Sequence, residues 1–302
     1  MKEVLKVEGL TKIYGGRKVV DDLSFSVKEG EIYGFLGPNG AGKTTAIKMI
    51  LNLIKRDKGK VYIDGYDLDL DFKKAINNIA AIVEYPKFYL NFSAYDNLKI
   101  IKNYRGKVED EKILEVLEIV GLKGREKDKV KTYSLGMKQR LGIAMTLIND
   151  PKIILLDEPT NGLDPKGIIE VRNIIMDLSK KFNKTVLVSS HLLHEIEIMC
   201  NNVVIINKGK TIAQGEVKTL INKDVDTIHV VTKEKEKLKE LMDKIDYGNY
   251  ANDMNDGLLI ELKKNMSWKL IKELVENNIE VKYINEKNQS LEEIFIDIVG
   301  GE

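Results

Sequence analysis

The nine residues Gly37-Pro38-Asn39-Gly40-Ala41-Gly42-Lys43-Thr44-Thr45 restrict this chain more than any other feature, because they fit the phosphate-binding loop pattern G-x-x-x-x-G-K-[ST] position by position. Glycines at this spacing let successive backbone N–H groups curl around an anion without Cβ interference. A helix starting near Lys43 turns its positive N-terminal end to the same point. Lys43 then offers an ammonium to the β- and γ-phosphates of a nucleotide, and Thr44 offers a hydroxyl to Mg²⁺. The flanks agree: Glu31 to Leu36 is a short apolar run that reads as a buried strand, and Ala46 to Ile54 runs on without Gly or Pro as a helix. Strand, loop, helix is the context that a nucleotide site requires.

A chain of 302 residues is long enough for a large core and two domains. Its formal charge is +1, which argues against a nucleic-acid-binding surface spread over the molecule. The basic residues are mostly Lys, with Arg at Arg17, Arg56, Arg105, Arg125, Arg140 and Arg172, and this bias is compositional rather than functional. One cysteine, Cys200, excludes an intramolecular disulfide framework; it suits a reducing compartment and reads as packed core. The first residues carry charges inside a short apolar pattern and do not resemble a secretory signal. No run approaches the length of a membrane span, so action at a membrane would go through a partner.

Val4 to Glu8, Val19 to Val27, Glu31 to Leu36 and Lys60 to Ile63 read as strands of an antiparallel region around the phosphate loop. From 93 to 149 the pattern turns helical: Ile113, Val116, Leu117 and Val120 recur at helical spacing, and a second helix starts near Ser134 and ends before Pro151. Ile153 to Asp157, Thr185 to Ser190 and Val203 to Asn207 are apolar runs suited to buried parallel strands. Beyond about Gly215 a separate α+β domain is predicted, with strands Thr227 to Thr232, Leu258 to Leu262 and Ile279 to Ile284 and helices Glu234 to Ile245 and Trp268 to Glu276. It closes on a capping box of Ser290 and Glu293, with Leu291, Ile294, Phe295 and Ile298 on one apolar face. The expected organisation is 1–215 for the nucleotide domain, with a helical subdomain at 93–149, and 216–302 for an accessory or dimer-contact domain.

Ile153 to Glu158 sets two carboxylates at the end of a buried strand, where the phosphate loop of a doubly wound sheet also lies. Asp157 is then placed to reach Mg²⁺. Glu158 is placed as general base or water-polarising group for attack on the γ-phosphate.

Tyr133-Ser134-Leu135-Gly136-Met137-Lys138-Gln139-Arg140 resembles the signature sequence of ATP-binding cassette (ABC) ATPases. Asp157-Glu158-Pro159-Thr160-Asn161-Gly162-Leu163-Asp164-Pro165 and Ser189-Ser190-His191 follow in that family's order. The resemblance implies the fold of a P-loop NTPase of the ABC type: an α/β cassette with a mixed sheet core, an antiparallel β subdomain and a helical subdomain. It implies ATP and Mg²⁺ as ligands and head-to-tail pairing of two cassettes, with ATP between the phosphate loop of one and Ser134 and Gly136 of the other. It also implies that His191 contacts the γ-phosphate, that Asp164 spans the dimer interface and that Tyr14 stacks on adenine; an ordinary core or edge tyrosine is the alternative. The bare spacing of His191 and His194 would allow a metal pair, but His229 is the only other histidine.

Two departures stand out. The family's L-S-G-G-Q is here Tyr133-Ser134-Leu135-Gly136-Met137, which keeps the serine and the second glycine. Glu84, in Ile82-Val83-Glu84-Tyr85-Pro86, occupies the place of a glutamine that touches Mg²⁺; its charge must be offset by Mg²⁺ or by partial protonation. That glutamate and the segment Tyr85 to Leu98 resemble the bacitracin and lantibiotic self-protection branch. The resemblance therefore implies an ATP-hydrolysing exporter subunit, pairing in the first instance with a second copy of itself. A separate permease would hold it at the cytoplasmic face of the membrane, with Tyr85 to Phe92 lining the groove for a permease helix; packing of a hinge loop would leave the same pattern. The alternatives are an ABC exporter of another cargo class and a soluble ABC ATPase acting on ribosomes or DNA; the latter is disfavoured by the single cassette and the lack of a long coiled-coil insertion. A nucleotide-gated regulator with little turnover is disfavoured by Asp157, Glu158 and His191.

Overall fold

In the computed structural model, which describes residues 2–105, 109–221, 225–286 and 290–300, the chain opens with two long strands, β1 (Glu3–Tyr14) and β2 (Arg17–Lys28), paired antiparallel. Strands β3 (Ile32–Leu36), β4 (Lys58–Ile63), β5 (Tyr66–Asp67) and β6 (Ile79–Ile82) follow. They are interleaved with α1 (Lys43–Ile50) and α2 (Phe72–Asn77). β2, β1, β4 and β5 make one antiparallel sheet in that order. The helix predicted to run to Ile54 stops at Ile50, because Asn52 turns into the left-handed region at φ 56°.

Next come α3 (Ala94–Arg105), α4 (Glu111–Ile119) and α5 (Leu135–Leu147). The remaining elements of this unit are β7 (Ile153–Asp157), α6 (Pro165–Lys180), β8 (Thr185–Ser189), α7 (Leu193–Met199), β9 (Asn202–Asn207) and β10 (Lys210–Glu216). The second sheet runs β10-β9-β3-β8-β7-β6, parallel throughout except for β10 at its edge. Every residue of β3, β7, β8 and β9 is buried, which is why these strands read as unbroken apolar runs rather than alternating ones. One apolar cluster, including Leu5, Phe25, Phe35, Met49, Leu155 and Val204, joins the two sheets around α1. Parallel pairing has a functional result. It brings the C-terminal ends of β3, β6, β7 and β8 to the same edge, where ligands of open α/β sheets bind.

Gly142 has a local reason: a Cβ there would lie 2.8 Å from Pro86 Cγ, so glycine is what lets α5 close over the chain leaving β6. Ile113, Val116, Leu117 and Val120 are all buried, the face of α4 that their spacing predicts. Cys200 is buried as expected, and burial pushes its thiol pKa up.

The chain divides into Met1–Glu216 and a second unit, Val217–Glu302. The second unit holds α8 (Val217–Ile221), β11 (Val225–Val231), α9 (Lys235–Met242), β12 (Gly248–Met254), β13 (Gly257–Lys263), α10 (Ser267–Glu276), β14 (Tyr283–Glu286) and α11 (Leu291–Gly300). Its antiparallel sheet runs β12-β13-β11-β14 over a core that includes Val230, Leu238, Leu258, Ile260 and Leu270. Two sequence readings need correction. β12 went unread because a half-exposed edge strand carrying Asn249, Asn252 and Asp253 lacks the apolar alternation of an inner strand. The strand expected from Ile279 begins only at Tyr283, since the residues after α10 close that helix instead. Asn278 (φ 51°) donates to Val275 O and Ile279 to Leu274 O, a Schellman motif. The capping box is present, Glu293 N–H to Ser290 Oγ and Ser290 N–H to Glu293 Oε2, each 3.2 Å. The face it opens shows buried Leu291 and Ile294; the side chain of Ile298 lies outside the described residues.

Candidate functional site

The phosphate loop leaves β3 and passes through Gly37, Pro38, Asn39, Gly40, Ala41 and Gly42 into α1. Gly40 and Gly42 take φ values of +81° and +100°, conformations that side chains rarely adopt. A Cβ on Gly37 would fall 2.5 Å from Ile206 O. These glycines are thus required by the loop's own path. Lys43 is only 9% exposed and donates to Gly37 O at 2.5 Å and Pro38 O at 3.3 Å. Burial lowers its pKa, against the raising influence of Glu158 and Asp157. The lysine thus folds back over the loop, held by carbonyls that a phosphate can replace.

Around it the strand ends form a connected polar cluster. Thr44 Oγ1 donates to Asp157 Oδ2 at 3.0 Å, and Ser189 Oγ donates to Asp157 Oδ1 at 2.6 Å. The same serine accepts from Glu158 N–H at 2.9 Å. His191 Nδ1 lies 2.7 Å from Glu158 Oε2, so His191 serves a carboxylate and not a metal pair with His194. Among the described residues no group of three or more His, Cys, Asp and Glu side chains could hold a metal ion. Glu158 has φ 51°, a left-handed conformation that turns its side chain out of the strand direction and is uncommon for such a residue. Ser189 joins the two carboxylates; the sequence placed it at the end of an apolar run and in the Ser189-Ser190-His191 motif, neither of which shows that link.

At the start of α5, Ser134 is the N-cap and accepts from Met137 N–H at 3.2 Å. A Cβ on Gly136 would meet nothing nearer than Gly167 Cα at 3.9 Å. No crowding within the chain calls for a glycine there. Tyr133 is buried and donates to Arg125 O at 2.7 Å; burial pushes its phenol up to about 12. Arg140 Nη1 donates to Val120 O and Gly121 O at 3.2 and 2.9 Å, pinning the end of α4 to the signature helix. Asp164 is exposed and caps α6 by accepting from Gly167 N–H at 3.0 Å.

Glu84 Oε1 accepts from Lys48 Nζ at 2.8 Å. Lys48 thus offsets its charge within the chain, and the bond to Lys48 holds the Glu84 pKa below its ordinary value. Lys48 went unread although it stands four residues after Thr44, on the same face of α1. Tyr14 is 50% exposed at the end of β1, with Lys12 Nζ 5.1 Å from its ring centre. An exposed aromatic face is what stacking on a base requires, and it excludes a buried core role. Tyr85, Tyr89, Leu90 and Phe92 are exposed apolar side chains, held on a loop that Asn97 secures through Tyr89 N–H, Tyr89 O and Ser93 O.

A glycine-lined loop opening a helix at the edge of a parallel sheet, with a threonine and two carboxylates beside it, defines a P-loop nucleotide-binding cassette. A family model described as ABC transporter matches residues 20–161. The chain is 44% identical over 300 residues to the uncharacterized ABC transporter ATP-binding protein YhcH of Bacillus subtilis, covering 99% of this chain and 97% of that protein. It is 42% identical over 302 residues to the bacitracin transport ATP-binding protein BcrA of Bacillus licheniformis, covering 100% and 99%. A solved dimeric ATP-binding cassette in a post-hydrolysis state with ADP and Pi superposes with TM-score 0.63 at 26% identity, covering 70% of this chain and 98% of that one. The chain belongs to the ATP-binding proteins of the ABC transporter family. It is an ATP-binding, ATP-hydrolysing transporter subunit, and the resemblance read from its motifs is borne out.

Proposed function

We propose that two copies of this chain close head to tail around ATP and drive export through a separate permease. The observation that carries this reading is the contrast between a phosphate loop fully built within one chain and a signature turn, Ser134 and Gly136, whose glycine answers to nothing in its own chain. A helix N-terminus with a serine cap and an open approach suits the γ-phosphate of a nucleotide held by another copy. Lys43 holds the β- and γ-phosphates, with backbone N–H groups of the loop that opens α1 around them. Glu158 takes the proton of the attacking water, and His191, bonded to it, turns to the γ-phosphate. Tyr14 stacks on the adenine and Asp164 faces the second copy. The Thr44 hydroxyl and Asp157 carboxylate, two hard oxygen donors 3.0 Å apart, fit Mg²⁺, which keeps several waters and takes its other ligands from phosphate. That ion would neutralise charge on the phosphates.

The nucleotide work is assigned to 1–215 and an accessory role to 216–302. Among the described residues no helix is long and apolar enough to cross a membrane; the permease of this proposal is a separate chain that holds this one at the cytoplasmic face. An apolar groove of about 660 Å³, lined by residues including Leu53, Phe72, Pro86 and Met145, together with the exposed aromatics of 85–92, suits docking of a permease helix. The match to the bacitracin transport protein along the whole chain supports a peptide antibiotic as cargo. Purification from membranes tests the assembly: the expected result is a co-purifying polytopic hydrophobic protein in equal amount to a cassette pair. Recovery instead with ribosomes or DNA would overturn it in favour of the soluble ATPase reading.

A further inference from the structure

The phosphate-loop helix touches the sheet at two strand ends, one helical turn apart. Thr44 meets Asp157 at the end of β7, and Lys48 meets Glu84 just past the end of β6. β6 and β7 are parallel neighbours with Ile82 opposite Leu156, so adjacent strands deliver the two carboxylates to residues i and i+4 of α1. Glu84 has φ +62°, a conformation that a residue with a side chain keeps only where its surroundings hold it. Burial is not what holds it, since its side chain is 63% exposed. The residues on either side, Ile82, Val83, Pro86 and Lys87, form one wall of the apolar groove, and Leu51, Asn52 and Leu53, just beyond α1, form another part of it.

We propose that Lys48 is a positioning residue that tethers the Glu84 segment to the phosphate-loop helix, so that ATP binding at the loop is transmitted to the wall of the groove and occupation of the groove is transmitted back. This rests on the ATP site and docking groove proposed above. An exposed ion pair adds little to folding stability, so its removal is expected to leave the fold intact. Its effect lies in the coupling: two sites that bias one shared element influence each other reciprocally. The strained backbone at Glu84 supplies such an element, with the lysine as its link to α1.

The test is hydrogen–deuterium exchange of the full-length chain, reading peptides across 83–92 with and without Mg-ATP in a Glu158→Gln background. With Lys48 present, Mg-ATP is expected to slow exchange there. In Lys48→Gln that response is expected to shrink by about fivefold or more, the lower range of measured couplings, while the Kd for Mg-ATP stays within about twofold, as the small worth of an exposed pair implies. Lys48→Arg is expected to keep the response. The reversed pair Lys48→Glu with Glu84→Lys is expected to restore it, which simple loss of a Glu84 carboxylate would not allow. Normal Mg-ATP binding with an unchanged response in Lys48→Gln, or no recovery in the reversed pair, would overturn the tether alone. Failure of the Lys48-bearing chain to bind Mg-ATP would overturn the site reading beneath it and the tether with it.

Discussion

The strand-end cluster and the signature turn differ in where their bonds go. Lys43, Thr44, Asp157, Glu158 and His191 each have a bonded neighbour inside the chain, and Gly37, Gly40 and Gly42 are dictated by loop geometry. Ser134 uses its side chain to cap α5, while a Cβ on Gly136 would meet nothing nearer than Gly167 Cα at 3.9 Å. A site closed on itself can be understood from one chain. A site that opens outward makes chemical sense only when something else is brought to it, and that asymmetry is what head-to-tail pairing exploits.

The largest effect is expected at the closed site. Glu158→Gln should lower ATP turnover by about 10² to 10⁴, the range for loss of a positioned base, while ATP binding persists and a nucleotide-bound dimer accumulates. Turnover assays with size-exclusion chromatography in Mg-ATP check both. A variant that still hydrolyses normally would remove Glu158 from its role.

Lys43→Ala should come next, raising the Kd for ATP roughly 10- to 100-fold through loss of charge-assisted hydrogen bonds worth about 1.5–3 kcal/mol. Titration calorimetry measures it, and unaltered affinity would refute the phosphate-loop assignment.

Gly136→Ala sharpens the contrast most directly. Alanine in an early helix turn is expected to leave stability unchanged or raise it by about 0.5–1 kcal/mol, because nothing in the chain is displaced. ATP-driven association should nonetheless fall by about tenfold or more, about 1.4 kcal/mol. If thermal unfolding shows the fold itself weakened, the turn is closed like the other site and the contrast fails.

The smallest effect concerns the support of the signature. Removing the bond to Arg125 O in Tyr133→Phe should cost about 1 kcal/mol near neutrality. With its phenol pushed up to about 12 by burial, against about 10 when unfolded, the folded chain keeps a proton that the unfolded chain loses. That contribution is complete below pH 10 and is lost as pH rises through about 12. Tyr33 and Tyr247 are raised to about 12 as well, so the variant should flatten only part of the alkaline decline seen in denaturant titrations.

Legibility followed the same division. The all-buried strands and the face of α4 were readable because burial imposes runs and periods on the residue string. β12 was not, since a polar edge strand meets few packing demands. The motif residues at the strand ends were readable one by one, but their joining through Ser189 was not: Ser189 and Asp157 are 32 positions apart in sequence, and only the parallel register of β7 and β8 brings them together.

The order of motifs by itself determined the class of the protein, its phosphate loop, and the residues from which an ATP site is built, because backbone geometry and charge restrict which residues stand at those positions. The sheet order decided the rest. It set Glu84 on Lys48, folded Lys43 back on its own loop, bonded His191 to Glu158 and left Gly136 with no neighbour close enough to require a glycine. Those outcomes depend on contacts between segments distant in sequence, and pairwise distances of that kind exist only once the chain has packed.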